Sequence, residues 1–212
     1  MKKVLSVCLI ALMLLGILGG CGNQQAKLEA LAGTWTLLED EDPEYILDVL
    51  TYFELYEEEI ALVETTGMKT VKVVEFREDK TYSFRYDGDK TRQTVREYLD
   101  GVFDQLYESR EKLDSLYEVA FSEYSQEEFQ QFYAALYEQD DYDSLLDVMA
   151  DEVYDYDVLD EPYETGTFTI RANRIYCTMA GKTEEEYLGY EIEGDTLTLE
   201  YLEDTEVYHR AN

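Results

Sequence analysis

The sequence predicts a mainly β protein with helical insertions, in which eight antiparallel strands form an up-and-down barrel carrying a helical lid at its mouth. Three observations support this fold class. Short segments alternate apolar and polar residues, tight turn sequences separate them, and two amphipathic helical stretches interrupt the series. An antiparallel meander of eight strands can close into a barrel, because closure removes its exposed edges. Hydrophobic residues make up 45% of the chain, which is enough for a real core.

The strands are predicted from eight short alternating segments. Asparagine, or glycine followed by aspartate, occupies several of the connections between them, as in β-hairpins. The segments are GTWTLLE at 33–39, VKVVEF at 71–76, TYSFRY at 81–86, TGTFTI at 165–170, RIYCT at 174–178, YLGYEI at 187–192, TLTLEY at 196–201 and EVYHR at 206–210. They fall within 31–39, 68–88 and 164–212.

A helix is predicted within residues 40–66, between the first and second strands. Asp42 is suited to cap its start, Pro43 to occupy its first turn, and Gly67 to follow its end. Apolar residues recur at helical spacing along one face, at Ile46, Val49, Leu50, Phe53 and Ile60.

Three further helices are predicted in the acidic insertion 91–163, between the third and fourth strands. Each begins with an N-terminal signal: a capping box of Thr94 and Glu97, a second capping box of Ser125 and Glu128, and Asp141 or Asp143. Short connectors make these helices antiparallel neighbours. Residues 94–164 hold 22 acidic and three basic residues, a net charge of −19.

The start of the chain has the features of a secretory signal. Lys2 and Lys3 precede an uncharged, mostly apolar stretch at 4–18, which is too short to span a bilayer. It ends in Leu-Gly-Gly-Cys at 18–21, which resembles the lipobox of bacterial lipoproteins. The resemblance implies removal of a signal peptide at 1–20, lipidation of Cys21 with fatty acyl chains such as palmitate, and a lipid anchor at the extracytoplasmic face of the cell membrane. The alternative is an ordinary signal peptide, or a buried helix, that contains a cysteine.

The barrel itself resembles the lipocalin-like, or calycin, family. The segment LAGTW at 31–35 is similar to the Gly-x-Trp opening of that family, and Arg210 stands near the end of the last strand. The resemblance implies that Gly33 and Trp35 form the barrel floor and that Arg210 packs across the tryptophan. The insertion 91–163 departs from the family pattern.

The position of the floor orders the connections between strands. If Trp35 lies at the floor, the tight turns at 78–80, 171–173 and 193–195 are there too, and both helical insertions are at the mouth, where we expect a lid. A tether at 21–30 then joins Cys21 to the barrel domain, 31–212. The floor should therefore face the membrane.

Charge excludes one class of partner. The net charge of −32 argues against nucleic acid, and against the body of the protein lying on an anionic membrane. The acidic helices are instead suited to cations or to a cationic protein partner.

The residue types needed for catalysis are scarce, and we expect no enzyme, no cofactor and no metal. The single histidine, His209, lies near the chain end, and no histidine–cysteine set for zinc is available. The acidic stretch EQDDYDSLLD lacks the central glycine of a calcium loop. Cys177 lies in a strand-like segment and is expected in the core.

Two functions remain open. Aromatic and aliphatic strand residues could line a pocket for a small apolar or aromatic ligand, and the candidates are Tyr82, Phe84, Tyr86, Phe168, Tyr176, Tyr190, Leu199 and Tyr201. The same residues could instead fill a small barrel. In that case the chain is a protein- or cation-interaction module. A hydrolase has the least support, because no base and nucleophile are paired.

Overall fold

Eight strands form one sheet that closes into a barrel in sequence order, β1 to β8. The computed structural model describes residues 24–202 and 204–211; the signal peptide predicted at 1–20 and the lipidation site Cys21 lie outside this part. The strands are β1 (Gly33–Asp40), β2 (Lys69–Phe76), β3 (Thr81–Tyr86), β4 (Glu164–Arg171), β5 (Arg174–Met179), β6 (Glu186–Glu193), β7 (Thr196–Tyr201) and β8 (Asp204–Arg210). The predicted eight-stranded barrel with helical insertions is confirmed.

Tight turns set the register of the hairpins. Arg171 pairs with Arg174 across a two-residue turn whose first residue, Ala172, has a φ of 55°. Glu193 pairs with Thr196 in the same way around Gly194, with a φ of 61°. Such left-handed conformations match the twist of the flanking strands. β8 then returns to β1 and closes the barrel.

The helices that the structure describes lie before β1 and in the two insertions. Residues 24–31 form α1. The others are α2 (Pro43–Tyr52), α3 (Glu57–Ile60), α4 (Gly88–Glu108), α5 (Asp114–Tyr117), α6 (Gln126–Leu136), α7 (Tyr142–Val153) and α8 (Tyr156–Leu159). The N-caps of α2, α6 and α7 are Asp42, Ser125 and Asp141, and each side chain accepts a hydrogen bond from a backbone N–H of the first turn.

The capping box predicted at Thr94 and Glu97 is wrong. α4 begins six residues earlier, at Gly88, where the Asp87 side chain accepts a hydrogen bond from the Lys90 backbone N–H. The Thr94 hydroxyl lies within the helix and donates to the carbonyl of Lys69, at 2.5 Å. The Thr94 hydroxyl, which was expected to cap the helix, therefore makes a tertiary hydrogen bond to the strand residue Lys69 instead.

The single helix predicted within 40–66 is also wrong. α2 ends at Tyr52, Glu54 adopts a left-handed φ of 59°, and α3 begins at Glu57. The break places both Phe53 and Leu55 in the core, at 5% and 6% exposure, which a continuous helix face does not do. The short helix α8, capped by Asp155, was not predicted.

The chain divides into two compact units, each with its own core. The barrel unit comprises the described residues of 1–37, 73–84 and 162–212, and the helical unit comprises 38–72 and 85–161. The barrel core is built from Leu28, Leu31, Trp35, Val74, Phe76, Tyr82, Phe168, Ile175, Cys177, Leu197, Leu199 and Tyr208. None of the described helices is long and apolar enough to cross a membrane.

Candidate functional site

The interior of the barrel is packed with aromatic side chains. The ring centroid of Phe76 lies 5.2 Å from that of Phe168 and 6.4 Å from that of Tyr82, which in turn lies 5.7 Å from Phe84. The Phe76–Phe168 and Tyr82–Phe84 pairs are edge-to-face, which is favourable at these distances, and Phe76 and Tyr82 are tilted by 34°. Leu197 and Tyr208 are also fully buried here.

Five of the eight predicted pocket residues belong to this packed interior. Tyr82, Phe168 and Leu199 are buried, and Phe84 and Tyr190 are half-buried against the same cluster. The Tyr82 hydroxyl donates a 2.6 Å hydrogen bond to Glu164 at the edge of the cluster. Burial, together with this carboxylate, raises the pKa of Tyr82.

The other three lie elsewhere, so the eight residues do not line one pocket. Tyr176 is on the outer face of β5, because its neighbours Ile175 and Cys177 are buried and side chains alternate along a strand. Tyr201 is 44% exposed at the end of β7. Tyr86 belongs to the helical unit, with its hydroxyl 3.4 Å from Glu39.

At the barrel floor, Arg210 packs across Trp35, and its guanidinium lies beside Gly33. The guanidinium carbon of Arg210 lies 4.0 Å from the Trp35 ring centroid, a cation–π distance. Arg210 also donates to the carbonyls of Ala30 and Ala32, at 2.8 and 3.1 Å. A Cβ on Gly33, whose φ is +134°, would lie 2.7 Å from an Arg210 nitrogen, so glycine is required there.

Cys177, expected in the core, and the single histidine, His209, occupy different environments. Cys177 is buried in the barrel core, and burial raises the pKa of its thiol to about 12. A thiol in that state is protonated at neutral pH and a poor nucleophile. His209 is exposed on β8, where its backbone carbonyl faces the Thr36 hydroxyl at 3.4 Å. In the part of the chain that the structure describes, no group of three His, Cys, Asp or Glu side chains is placed to hold a metal.

A buried glutamate that the sequence did not point to lies in the helical unit. Glu59 is 1% exposed, and its carboxylate accepts hydrogen bonds from the hydroxyls of Tyr117, at 2.9 Å, and Tyr133. Its other oxygen accepts from the backbone N–H of Tyr56, at 2.8 Å. Burial and the adjacent carboxylate raise the pKa of both tyrosines, so their hydroxyls stay protonated as donors. The arrangement ties α3 to α5 and α6.

The insertion presents its acidic residues to solvent. None of the 22 acidic side chains in 94–164 is buried. Arg96 pairs with Asp143 and Asp147 at 2.6 and 3.1 Å, and Arg92 pairs with Asp151, which joins α4 to α7. Residues 94–164 contain only three basic residues, Arg96, Arg110 and Lys112, against 22 acidic ones. The surface is therefore strongly negative.

A groove opens on this acidic unit between α2 and the last turn of α7. Its volume is about 250 Å³, and its lining consists of Tyr45, Val49, Tyr52, Phe53 and Val153 with the acids Asp48 and Glu152. The Tyr45 hydroxyl donates to the carbonyl of Val153, at 3.2 Å, and so connects the two sides. Tyr52 is 65% exposed. The groove thus has an apolar base and an acidic rim.

Comparison with protein-family models, with curated proteins and with solved structures finds no match to this chain. Three features of its own geometry bear on function. The barrel interior is packed, the helical surface is negative, and the groove between α2 and α7 combines exposed aromatic area with carboxylates.

Proposed function

We propose that the chain is a non-catalytic lipoprotein, anchored through lipid on Cys21 at the extracytoplasmic face of the cell membrane, whose acidic helical unit binds a cationic segment of another protein. In this account the lipocalin-like barrel is a solid scaffold. The observation that carries the proposal is the groove between α2 and α7, with its apolar base and acidic rim.

The chemistry of the groove suits an amphipathic cationic helix. One apolar side chain of the partner packs on Val49 and Tyr52, while lysine or arginine side chains of the same segment reach Asp48 and Glu152. The surrounding negative field steers a cationic partner toward the groove and disfavours acidic ones. Exposed tyrosine is well suited to such a site, because it supplies large contact area with few rotatable bonds.

Carriage of a small apolar ligand inside the barrel is the alternative. It requires space among the interior side chains, whereas the Phe76 ring packs there against both Tyr82 and Phe168. The packing supports a scaffold role for the barrel.

The test uses a synthetic amphipathic peptide with lysines on one face and leucines on the other. Fluorescence anisotropy with the Cys21→Ser full chain measures its Kd at about 150 mM salt. We expect Asp48→Lys and Tyr52→Ala each to weaken binding about tenfold, the size typical of residues central to an interface.

Two variants elsewhere on the helical unit control for charge and for exposed apolar area. Asp140→Lys makes the same charge change at another exposed acid, and Leu136→Ala removes an exposed side chain on α6. Both should bind within about twofold of the unchanged chain. Equal losses in Asp48→Lys and Asp140→Lys, with none in Tyr52→Ala, would mean that the peptide senses charge alone, and the groove would not be the binding site.

A further inference from the structure

The outer face of the barrel has a depression over β6. Gly189 pairs with Arg174 of β5 on one side and with Glu200 of β7 on the other, so the three residues form a row across three strands. The row faces outward, because the chain neighbours Ile175 and Leu199 pack in the barrel core and side chains alternate along a strand. Glycine inside a strand often marks a place where a ligand approaches the backbone. The depression, which we call the β6 pocket, has a volume of about 440 Å³, a size typical of small-molecule sites.

Two exposed side chains give the β6 pocket an apolar side. Tyr201 is 44% exposed and Leu202 is 92% exposed, and both line the pocket. Among the described residues, no other aromatic ring packs against the ring of Tyr201. Leu202 has a left-handed φ of 53°, which is uncommon for an aliphatic residue. The pocket therefore presents an aromatic ring and an aliphatic side chain to a ligand.

The carboxylates of the β6 pocket supply hydrogen-bond acceptors. Glu186 lies 3.4 Å from the hydroxyl of Tyr201. The carboxylate of Glu200 lies over Gly189, where a Cβ would be 2.8 Å from one of its oxygens. Within the described part of the chain, no group donates a hydrogen bond to the Glu200 carboxylate. Because an ionised carboxylate only accepts hydrogen bonds, the pocket has room for donors from a ligand.

Charge and polarity narrow the class of ligand. Three carboxylates line the pocket, those of Glu185, Glu186 and Glu200, against the one guanidinium of Arg174, so an anion is repelled. A purely apolar ligand would take these carboxylates out of water without giving them donors. A cation would meet the Arg174 guanidinium, whose central carbon already lies 4.4 Å from the ring centroid of Tyr187. A neutral molecule rich in hydroxyl groups suits both sides, because it donates to carboxylates and accepts from the guanidinium.

We propose that the β6 pocket binds a neutral saccharide. The sugar hydroxyls donate to Glu186 and Glu200 and accept from Arg174. The C–H face of one sugar ring packs on Tyr201, because the face of an aromatic ring is negative and C–H hydrogens are slightly positive. The site belongs to the barrel unit and depends neither on the lipid anchor nor on the groove of the proposed function. Because the pocket lies on the outer face of the sheet, we expect rapid exchange and loss of the saccharide during purification.

Saturation-transfer difference NMR with the Cys21→Ser full chain tests the proposal. The probes are three neutral trisaccharides: maltotriose, cellotriose and tri-N-acetylchitotriose. We expect saturable binding of at least one of them, with the strongest transfer to the C–H hydrogens on one face of a sugar ring. Raising the salt concentration from about 20 to about 300 mM should change its Kd by less than about twofold, because salt screens charged partners and not neutral ones.

Substitutions in the pocket identify the residues responsible. Tyr201→Ala and Glu200→Ala should each weaken binding of that saccharide at least about fivefold, since one removes the aromatic contact and the other a charged acceptor. Tyr163→Ala and Glu193→Ala are the matched controls, at exposed positions of the barrel unit outside the pocket, and should bind within about twofold of the unchanged chain. Circular dichroism verifies that all four variants are folded.

Three results would overturn the proposal. The first is an absence of saturable transfer to all three trisaccharides. The second is an equal loss of binding in the pocket variants and in the controls. The third concerns spermidine, an aliphatic triamine used as the cationic comparison. If spermidine bound, Glu200→Ala abolished that binding and no saccharide bound, the pocket would be an amine site instead.

Discussion

Trp35→Ala is expected to lower the free energy of unfolding of the barrel by about 3–5 kcal/mol, the range for a fully buried large aromatic. The side chain is 0% exposed, and its indole N–H donates to the Leu31 carbonyl at 2.9 Å. Loss of the indole leaves a cavity in the barrel core and removes the ring over which the Arg210 guanidinium packs. Urea denaturation followed by circular dichroism measures the change. Val207→Ala, on the outer face of β8 and 41% exposed, is the control, with an expected change within about 0.5 kcal/mol.

A double-mutant cycle tests whether Arg210 acts through the tryptophan. Arg210→Ala alone should cost less than Trp35→Ala, because Arg210 is only partly buried. The two changes should couple by about 0.5–2 kcal/mol, as expected for a cation–π contact with a half-desolvated guanidinium. Strict additivity would show that the contact contributes nothing, and the floor would be held by packing alone.

Glu59→Ala is expected to cost about 3–5 kcal/mol in the helical unit. The change leaves the hydroxyls of Tyr117 and Tyr133 and the backbone N–H of Tyr56 without an acceptor in an apolar core. Each buried donor left unsatisfied costs about 1–3 kcal/mol. Glu59→Gln keeps one acceptor oxygen and should recover part of the loss.

The neighbouring glutamate provides the matched control. Glu58 is exposed, so Glu58→Ala should change the free energy of unfolding by less than about 0.5 kcal/mol. The unfolding of each unit is followed separately, since two compact units need not unfold together. If Glu59→Ala proved as stable as Glu58→Ala, the carboxylate would not be what ties the three helices.

The barrel could be predicted because its signals are local. Alternation along each strand and turn residues suited to left-handed backbone act within a few residues, as at Ala172 and Gly194. The same holds for the cap at Ser125, whose partner Glu128 is three residues away. These local preferences agree with the closed sheet, which is the consistency expected of a foldable sequence.

The features that could not be predicted depend on contacts distant in sequence. In the sequence, Glu59 cannot be told from a solvent-exposed glutamate. The hydroxyls that donate to it, those of Tyr117 and Tyr133, lie 58 and 74 residues further along the chain. Thr94 has the sequence spacing of an N-cap residue, but its hydroxyl donates to the carbonyl of Lys69, 25 residues earlier in the chain. Tyr176 lies in a strand, as predicted, but on its outer face, because the sequence pattern of β5 does not fix which of its two faces is inward.

The groove between α2 and α7 was not predicted, because Val153 reaches α2 only through tertiary folding, and its rim acids resemble any others in so acidic a chain. The sequence did indicate the apolar face of α2, which includes Val49 and Phe53. It did not indicate that Tyr52 would stay exposed.

The proposed function requires a barrel that is a solid scaffold. Native mass spectrometry of the gently purified Cys21→Ser chain, before and after addition of the neutral apolar probe N-phenyl-1-naphthylamine, tests this. With the Phe76 ring packed against both Tyr82 and Phe168 inside the barrel, we expect the mass of the polypeptide alone in both spectra. One retained small molecule per chain, or one bound probe, would contradict the account and identify the barrel as a ligand carrier.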